Sequence, residues 1–374
     1  MKTIKFSGSI RIAAFVLIAL TVIVTVAFAG HRWQSLIYGD SQVDEDQSGN
    51  NDGGNNEQNG DNSGNNGGNE DIPTVAVPEF THPLTGVECD ESTSSKRPVS
   101  FVLDSLAPLY GISYADINIE VPIENGNTRY LMLTTGYSPI GKIGAVSASR
   151  KYISFISDLF DAVHIFCGND DMVSYLESYV PDKDLDLNKN TGFHYTESNE
   201  YNYTNGALIG AGIYNSGFDG EFMKAPVRLP FTFVGFGEEA VHGDTLASEV
   251  TIPYSENNIT SFSYTDGFYT MSKNGAQLTD KVNGETVKYK NVIILFTDTV
   301  TYDKQSGTEL VPDMTSGGFG ICVTGGYARQ CMWSINADGA LEIKDLQGSL
   351  ISVQRGTTYI GLFKSSQKDS VKLS

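Results

Sequence analysis

The chain is 374 residues long, with 45 acidic and 25 basic residues and a formal net charge of −20. No Lys/Arg cluster is longer than Arg150-Lys151 or Lys96-Arg97, so the basic face that displaces counterions from phosphate is missing and nucleic-acid binding is excluded. The same sign of charge opposes adsorption onto anionic lipid, which leaves a hydrophobic segment as the route to a membrane.

Such a segment stands near the N-terminus. Residues Ile12 to Ala29 carry no charge, and as a helix they reach about 27 Å, close to the hydrocarbon thickness of a bilayer. Lys2, Lys5 and Arg11 precede them. The positive-inside tendency therefore keeps residues 1–11 in the cytoplasm and sends everything after residue 30 outside. Ala27-Phe28-Ala29 also fits the small-x-small pattern of a signal-peptidase site. Two outcomes stand: a retained single-pass anchor in the cell membrane, or a signal removed after Ala29 and a secreted protein. The length of the apolar run favours the anchor, since a signal core is usually about 7 to 15 residues. The first cysteine is Cys89, so no thiol closes the run where a lipoprotein would be acylated.

Residues 40–77 read as a disordered acidic spacer rich in Asn and Gly. Nine acids fall between Asp40 and Asp71 with no Lys or Arg, and such a stretch cannot bury a core. As a Gly-rich coil it spans on the order of 30 Å, the reach of a tether that lifts a domain off a membrane. Removing those acids leaves a net charge of about −11 for the rest of the chain.

From Pro98 onward, Val99 to Asp104, Ile117 to Val121, Arg129 to Thr135 and Ala162 to Cys167 read as strands bounded by Pro, Gly and Asn. Ser147 to Phe160 carries Tyr152, Phe155, Ile156, Leu159 and Phe160 at helical spacing, and Asp171 to Tyr179 reads as a shorter helix closed by Pro181. After Leu229 the pattern is mostly strand: Thr232 to Phe236, Ala247 to Pro253, Ile259 to Tyr264, Gly267 to Met271, Asn291 to Asp298, Ala340 to Ile343 and Thr358 to Phe363. Gly320 to Trp333 reads as a hairpin around Gly325-Gly326. Its register decides the fate of two of the four cysteines. A two-residue turn sets Cys322 opposite Arg329, whereas a four-residue loop sets it opposite Cys331 and permits a Cys322–Cys331 disulfide. A polar tail, residues 365–374, closes the chain.

The order of short motifs from residue 82 resembles the DUF3048 family. The family's Asn-Pro-Leu-Thr-Gly stands as His82-Pro83-Leu84-Thr85-Gly86, its Arg-Pro as Arg97-Pro98, and its Ser-x-Ala-Asp-Ile-x-x-Glu as Ser113 to Glu120. Gly126-Asn127-Thr128-Arg129 and Lys142-Ile143-Gly144-Ala145-Val146-Ser147-Ala148-Ser149-Arg150 follow in family order, then Phe160-Asp161-Ala162, Lys224-Ala225-Pro226 and Lys290-Asn291-Val292-Ile293. Together they cover roughly residues 82 to 364. The resemblance implies an α+β fold in two consecutive family domains: a layered sheet/helix sandwich N-terminal domain over 78–228, followed by a mainly β C-terminal domain over 229–364. It also implies a bacterial extracytoplasmic envelope protein, with an apolar segment where lipoprotein members of the family use a lipid. Ser147 stands where the family has Arg, Phe166 replaces a His, and Val227-Arg228 replaces a His-Asn, so acid/base chemistry by those His residues is absent here.

Asp116, Glu120, Glu124, Arg129, Lys142 and Arg150 lie within thirty-five residues of one another. Side chains alternate along a strand, so Asp116, Asn118 and Glu120 share one face and Ile117, Ile119 and Val121 the other. The bland reading is a structural ion-pair network between layers. The sharper one is a recognition cleft of Asp116, Glu120, Arg129, Lys142 and Arg150, in which the Arg forks hold an anionic or polar glycan group. Asp186-x-Asn188-x-Asn190 with Glu197 reproduces part of a calcium loop, but Thr191 occupies the slot that needs Gly, and no metal is assigned. His31, His82, His164, His194 and His242 show no paired ligand spacing and are read as incidental. No nucleophile elbow, zincin or P-loop motif is present. The expectation is a tethered, non-catalytic binding or accessory protein without a cofactor, whose partner is a cell-wall polymer or an envelope protein. The alternative is a divergent wall-glycan enzyme using the carboxyls of Glu120 and Glu124.

Overall fold

The computed structural model describes residues 76–170, 183–197, 200–218, 226–240, 243, 245–304 and 307–374. The N-terminal apolar segment, most of the spacer and the expected helix over Asp171 to Tyr179 lie outside these. Among the described residues no helix is long and apolar enough to cross a membrane.

Strands dominate and helices are few. In the first half come β1 (Val99–Asp104), β2 (Ile117–Pro122), β3 (Thr128–Thr134), β4 (Ile143–Val146), α1 (Lys151–Asp158), β5 (Val163–Phe166) and α2 (Gly206–Asn215). The second half contributes β6 (Glu249–Ser255), β7 (Asn258–Thr265), β8 (Phe268–Lys273), β9 (Asn291–Thr297), β10 (Gly318–Thr324), β11 (Tyr327–Ile335), β12 (Leu341–Lys344) and β13 (Thr358–Lys364).

One sheet runs through both halves in the order β11-β10-β9-β13-β2-β3-β1-β4. The join is made by β13, the last long strand of the chain. It lies parallel to β9 on one side (Asn291↔Thr358 to Thr297↔Lys364) and parallel to β2 on the other (Ile117↔Thr358 to Glu120↔Gly361). Central parallel strands are covered on both faces and therefore read as continuous apolar runs; every residue of β9 is buried, as are Thr358 to Phe363 of β13. A second sheet, built on β6, β7 and β8, packs on one face of the first through Val250, Ile252, Phe262, Tyr269 and Met271 against Tyr130, Met132, Val292 and Tyr359. On the other face α1 sets Tyr152, Ile153 and Ile156 against Ile117, Ile119, Leu131 and Leu133. A buried carboxylate also ties the halves: Asp280 accepts from the N–H groups of Gly111 at 2.9 Å and Ser113 at 2.8 Å.

Two expectations are corrected. The expected helix over Ser147 to Phe160 shrinks to α1, because Ser149-Arg150 extends to pair in parallel with Asn169-Asp170 and Arg150 becomes the N-cap. In the β10–β11 hairpin, Gly325 and Gly326 have φ of 60° and 86°, the left-handed pair that a two-residue type I′ turn requires. Cys322 therefore faces Arg329 while Cys331 faces Gly320, and both thiols are free. The Cys322–Cys331 disulfide is not formed.

Candidate functional site

The five residues expected to share a cleft, together with Glu124, are distributed over four places. Glu120, on β2, has no exposure. Its Oε1 accepts from Thr128 Oγ1 at 2.6 Å and Lys273 Nζ at 2.5 Å, and its Oε2 from Thr260 Oγ1 and Tyr359 OH, each at 2.7 Å. The polar face of β2 thus points into the second sheet and not to solvent. A carboxylate with every lone pair engaged and no path to water can neither hold a ligand nor pass a proton to one, so Glu120 leaves both the recognition cleft and the alternative catalytic pair.

Arg150 grips Glu124 with two parallel bonds of 2.8 Å, Nε to Oε1 and Nη2 to Oε2. Arg129 lies nearby, 3.4 Å from Asp104. Partial burial lowers its pKa, an effect that Asp104 and Glu124 oppose and Arg150 reinforces. This part of the expected constellation is real, with its charges paired and partly buried. Lys142 is elsewhere: its Nζ sits 4.0 Å from the ring centre of Tyr110 and 3.9 Å from that of Tyr203, and 2.7 Å from Glu197.

Asp116 belongs to a fourth group that the histidine reading missed. His82 Nδ1 accepts from the N–H groups of Leu84 at 3.2 Å and Thr85 at 3.3 Å. An Asn oxygen in the family's Asn-Pro-Leu-Thr-Gly can make the same turn, which is why His is tolerated here. His82 Nε2 lies 2.8 Å from Thr135 Oγ1 and 3.6 Å from Asp116, and Asp116 accepts from Thr135 N–H at 2.9 Å. Burial raises the pKa of Asp116, against the pull of His82 and that N–H.

Thr135 also lines a cleft of about 390 Å³, measured out to its mouth, together with Lys96, Arg97, Val99, Tyr137, Ser138, Val163 and Ile213. Arg97 is 5 % exposed; its Nη1 donates to the carbonyl of Asp161 at 3.3 Å and to its carboxylate at 2.8 Å, while its buried Nε has no partner. Residues from three separate motifs, His82, Arg97 and Asp116, thus meet at Thr135 or at the cleft it lines.

Two buried groups are structural. His164 has no exposure and bridges Ser100 Oγ at 2.9 Å and Ser149 Oγ at 2.8 Å; burial pushes its pKa down to about 3. The partial calcium loop spends Asp186 on the N–H groups of Gly168 at 2.9 Å and Asn188 at 3.0 Å, while Glu197 is with Lys142. Among the described residues no group of His, Cys, Asp and Glu is arranged to hold a metal.

The interlocked halves and the cleft define a mainly β protein in which two family domains share one sheet. The chain belongs to the DUF3048 family. Residues 84–219 match the family model described as "Protein of unknown function (DUF3048) N-terminal domain", and residues 250–360 match that of its C-terminal domain. The chain is 24% identical over 293 residues to "Putative lipoprotein YerB" of Bacillus subtilis (strain 168), covering 75% of this chain and 85% of that one. It also resembles the crystal structure of the YerB protein from Bacillus subtilis with a TM-score of 0.68 and 21% identity, over 79% of this chain and all of the other, a likeness of fold.

Proposed function

We propose that this is a membrane-tethered, extracytoplasmic envelope protein that binds a cell-wall polymer and does not cleave it. The observation that carries this is the cleft: its described lining has two cations, three hydroxyls and an apolar floor, with no carboxylate. Support also comes from the carboxyls that an enzyme would need, since Glu120 is sealed in the core and Glu124 is held by Arg150. The relative named as a lipoprotein favours a membrane-held position outside the cytoplasm; here the apolar segment Ile12 to Ala29 takes the place of the lipid. In this reading Arg129 and Arg150 form a secondary contact at the surface, the N-terminal half is a layered sheet/helix sandwich and the C-terminal half the β-rich support.

The test is co-sedimentation of the full-length protein with purified cell walls, alongside chromatography of wall digests made with and without it. Saturable binding and identical digests are expected. Failure to bind walls, or capture of an envelope protein in their place, overturns the polymer as partner, and new digest products overturn the non-catalytic reading.

A further inference from the structure

Resting on that binding reading, we propose that the cleft takes a carboxylate at the end of a short apolar stem, the group presented by the C-terminus of an alanine-ended peptide. Charge selects the head group. Asp161 pairs with both Arg97 and Lys183, and Lys96, in no ion pair among the described residues, adds a further cation, so positive charge is in excess around the cleft. That excess calls for an anion, and the apolar floor, which a phosphate cannot use, favours a carboxylate carried on an apolar stem. The buried Nε of Arg97 is a donor without an acceptor, a state whose cost a bound anion removes.

Hydroxyl orientation follows from His82. Its Nδ1 accepts two backbone N–H groups, so the hydrogen-bond network places the ring proton on Nε2, which donates to Thr135 Oγ1. The hydroxyl proton of Thr135 is then available to the cleft it lines, and His82 acts as a positioning residue. Val99, Val163 and Ile213 are buried and form a floor for a methyl group. The wall at Tyr137 and Ser138 is held in place by α2, where a Cβ on Gly206 would collide with both of their carbonyls.

The test is calorimetric titration of the full-length protein in detergent with N-acetyl-alanyl-alanine, with its C-terminal amide, and with inorganic phosphate. The acid is expected to bind and the amide to bind more weakly by on the order of tenfold to a hundredfold, the range of a lost charge-assisted contact. Phosphate is expected not to compete. Lys96→Met and Thr135→Val each weaken the acid, and Lys96→Met leaves the unfolding midpoint in place. His82→Asn keeps the turn and, having lost the Nε2 donor, weakens the acid as Thr135→Val does. Equal binding of acid and amide, competition by phosphate, or an unaffected Lys96→Met overturns the proposal. If walls still sediment with the protein while the acid probe fails, only the ligand class falls; if both fail, the binding reading falls with it.

Discussion

Lys273 reaches Glu120 from the second sheet, 153 residues further along the chain, and the two form an ion pair with almost no solvent contact. Removing one member of a buried pair strands the other, at about 3–5 kcal/mol. Lys273→Met is expected to lower unfolding stability by that order in urea titrations, and Tyr359→Phe, which removes one of four donors, by about 1 kcal/mol. His164 gives a pH signature. Its folded pKa of about 3 lies below the ordinary imidazole value of 6.5, so its contribution is complete above pH 6.5 and is lost as pH falls toward 3. Stability is expected to fall across that window, and a His164→Asn variant to show a flatter dependence. At this scale sequence reasoning reached the alternation that sets Asn118 and Glu120 on one side of β2, but not what covers that side. Nothing local marks Lys273 as the partner, and His82 looked incidental because Thr135 lies 53 residues away.

Most strands were legible because their signals are local. β1, β2, β3, β9 and β13 fall within one residue or so of where β-branched and aromatic runs put them, since their boundaries are Pro, Gly and Asn. Helix α2 was not, because Gly206-Ala-Leu-Ile-Gly-Ala-Gly-Ile-Tyr-Asn215 has three glycines, which weaken helix propensity, and apolar residues around its circumference in place of a stripe. The hairpin register was left open between two turns and was decided by the left-handed conformation of both glycines. Reducing agent is therefore expected to leave the melting temperature of the purified protein unchanged, and Cys167, Cys322 and Cys331 to react with a thiol reagent only in denaturant. The position of β13 gives the sharpest element-level expectation. A chain ending at residue 357 leaves facing edges of β2 and β9 unpaired. Its cooperative urea transition is expected to disappear, and residues 78–228 expressed alone to aggregate through the open edge of β2.

For the whole molecule, the proposed location rests on the N-terminal apolar run and the acidic spacer and the proposed recognition on the folded part, and the two are read from different kinds of signal. Charge and hydropathy are summed over a segment, so they survive without knowledge of the fold; the cleft is made of loops and strand ends brought together only by the sheet. With a retained anchor, N-terminal sequencing of the membrane fraction is expected to find no chain beginning at Gly30, whereas a soluble chain beginning there would make the segment a discarded signal. The topology of the sheet then carries a consequence for biogenesis. In the proposed location, a chain exported N-terminus first would deliver β2 early and β13 close to last, so the first half would wait outside with an unfilled slot until nearly all of the polypeptide had crossed. Translocation and sheet closure would thereby be coupled, and a chain stalled short of residue 358 would be left at the membrane surface as a template for adventitious strand pairing.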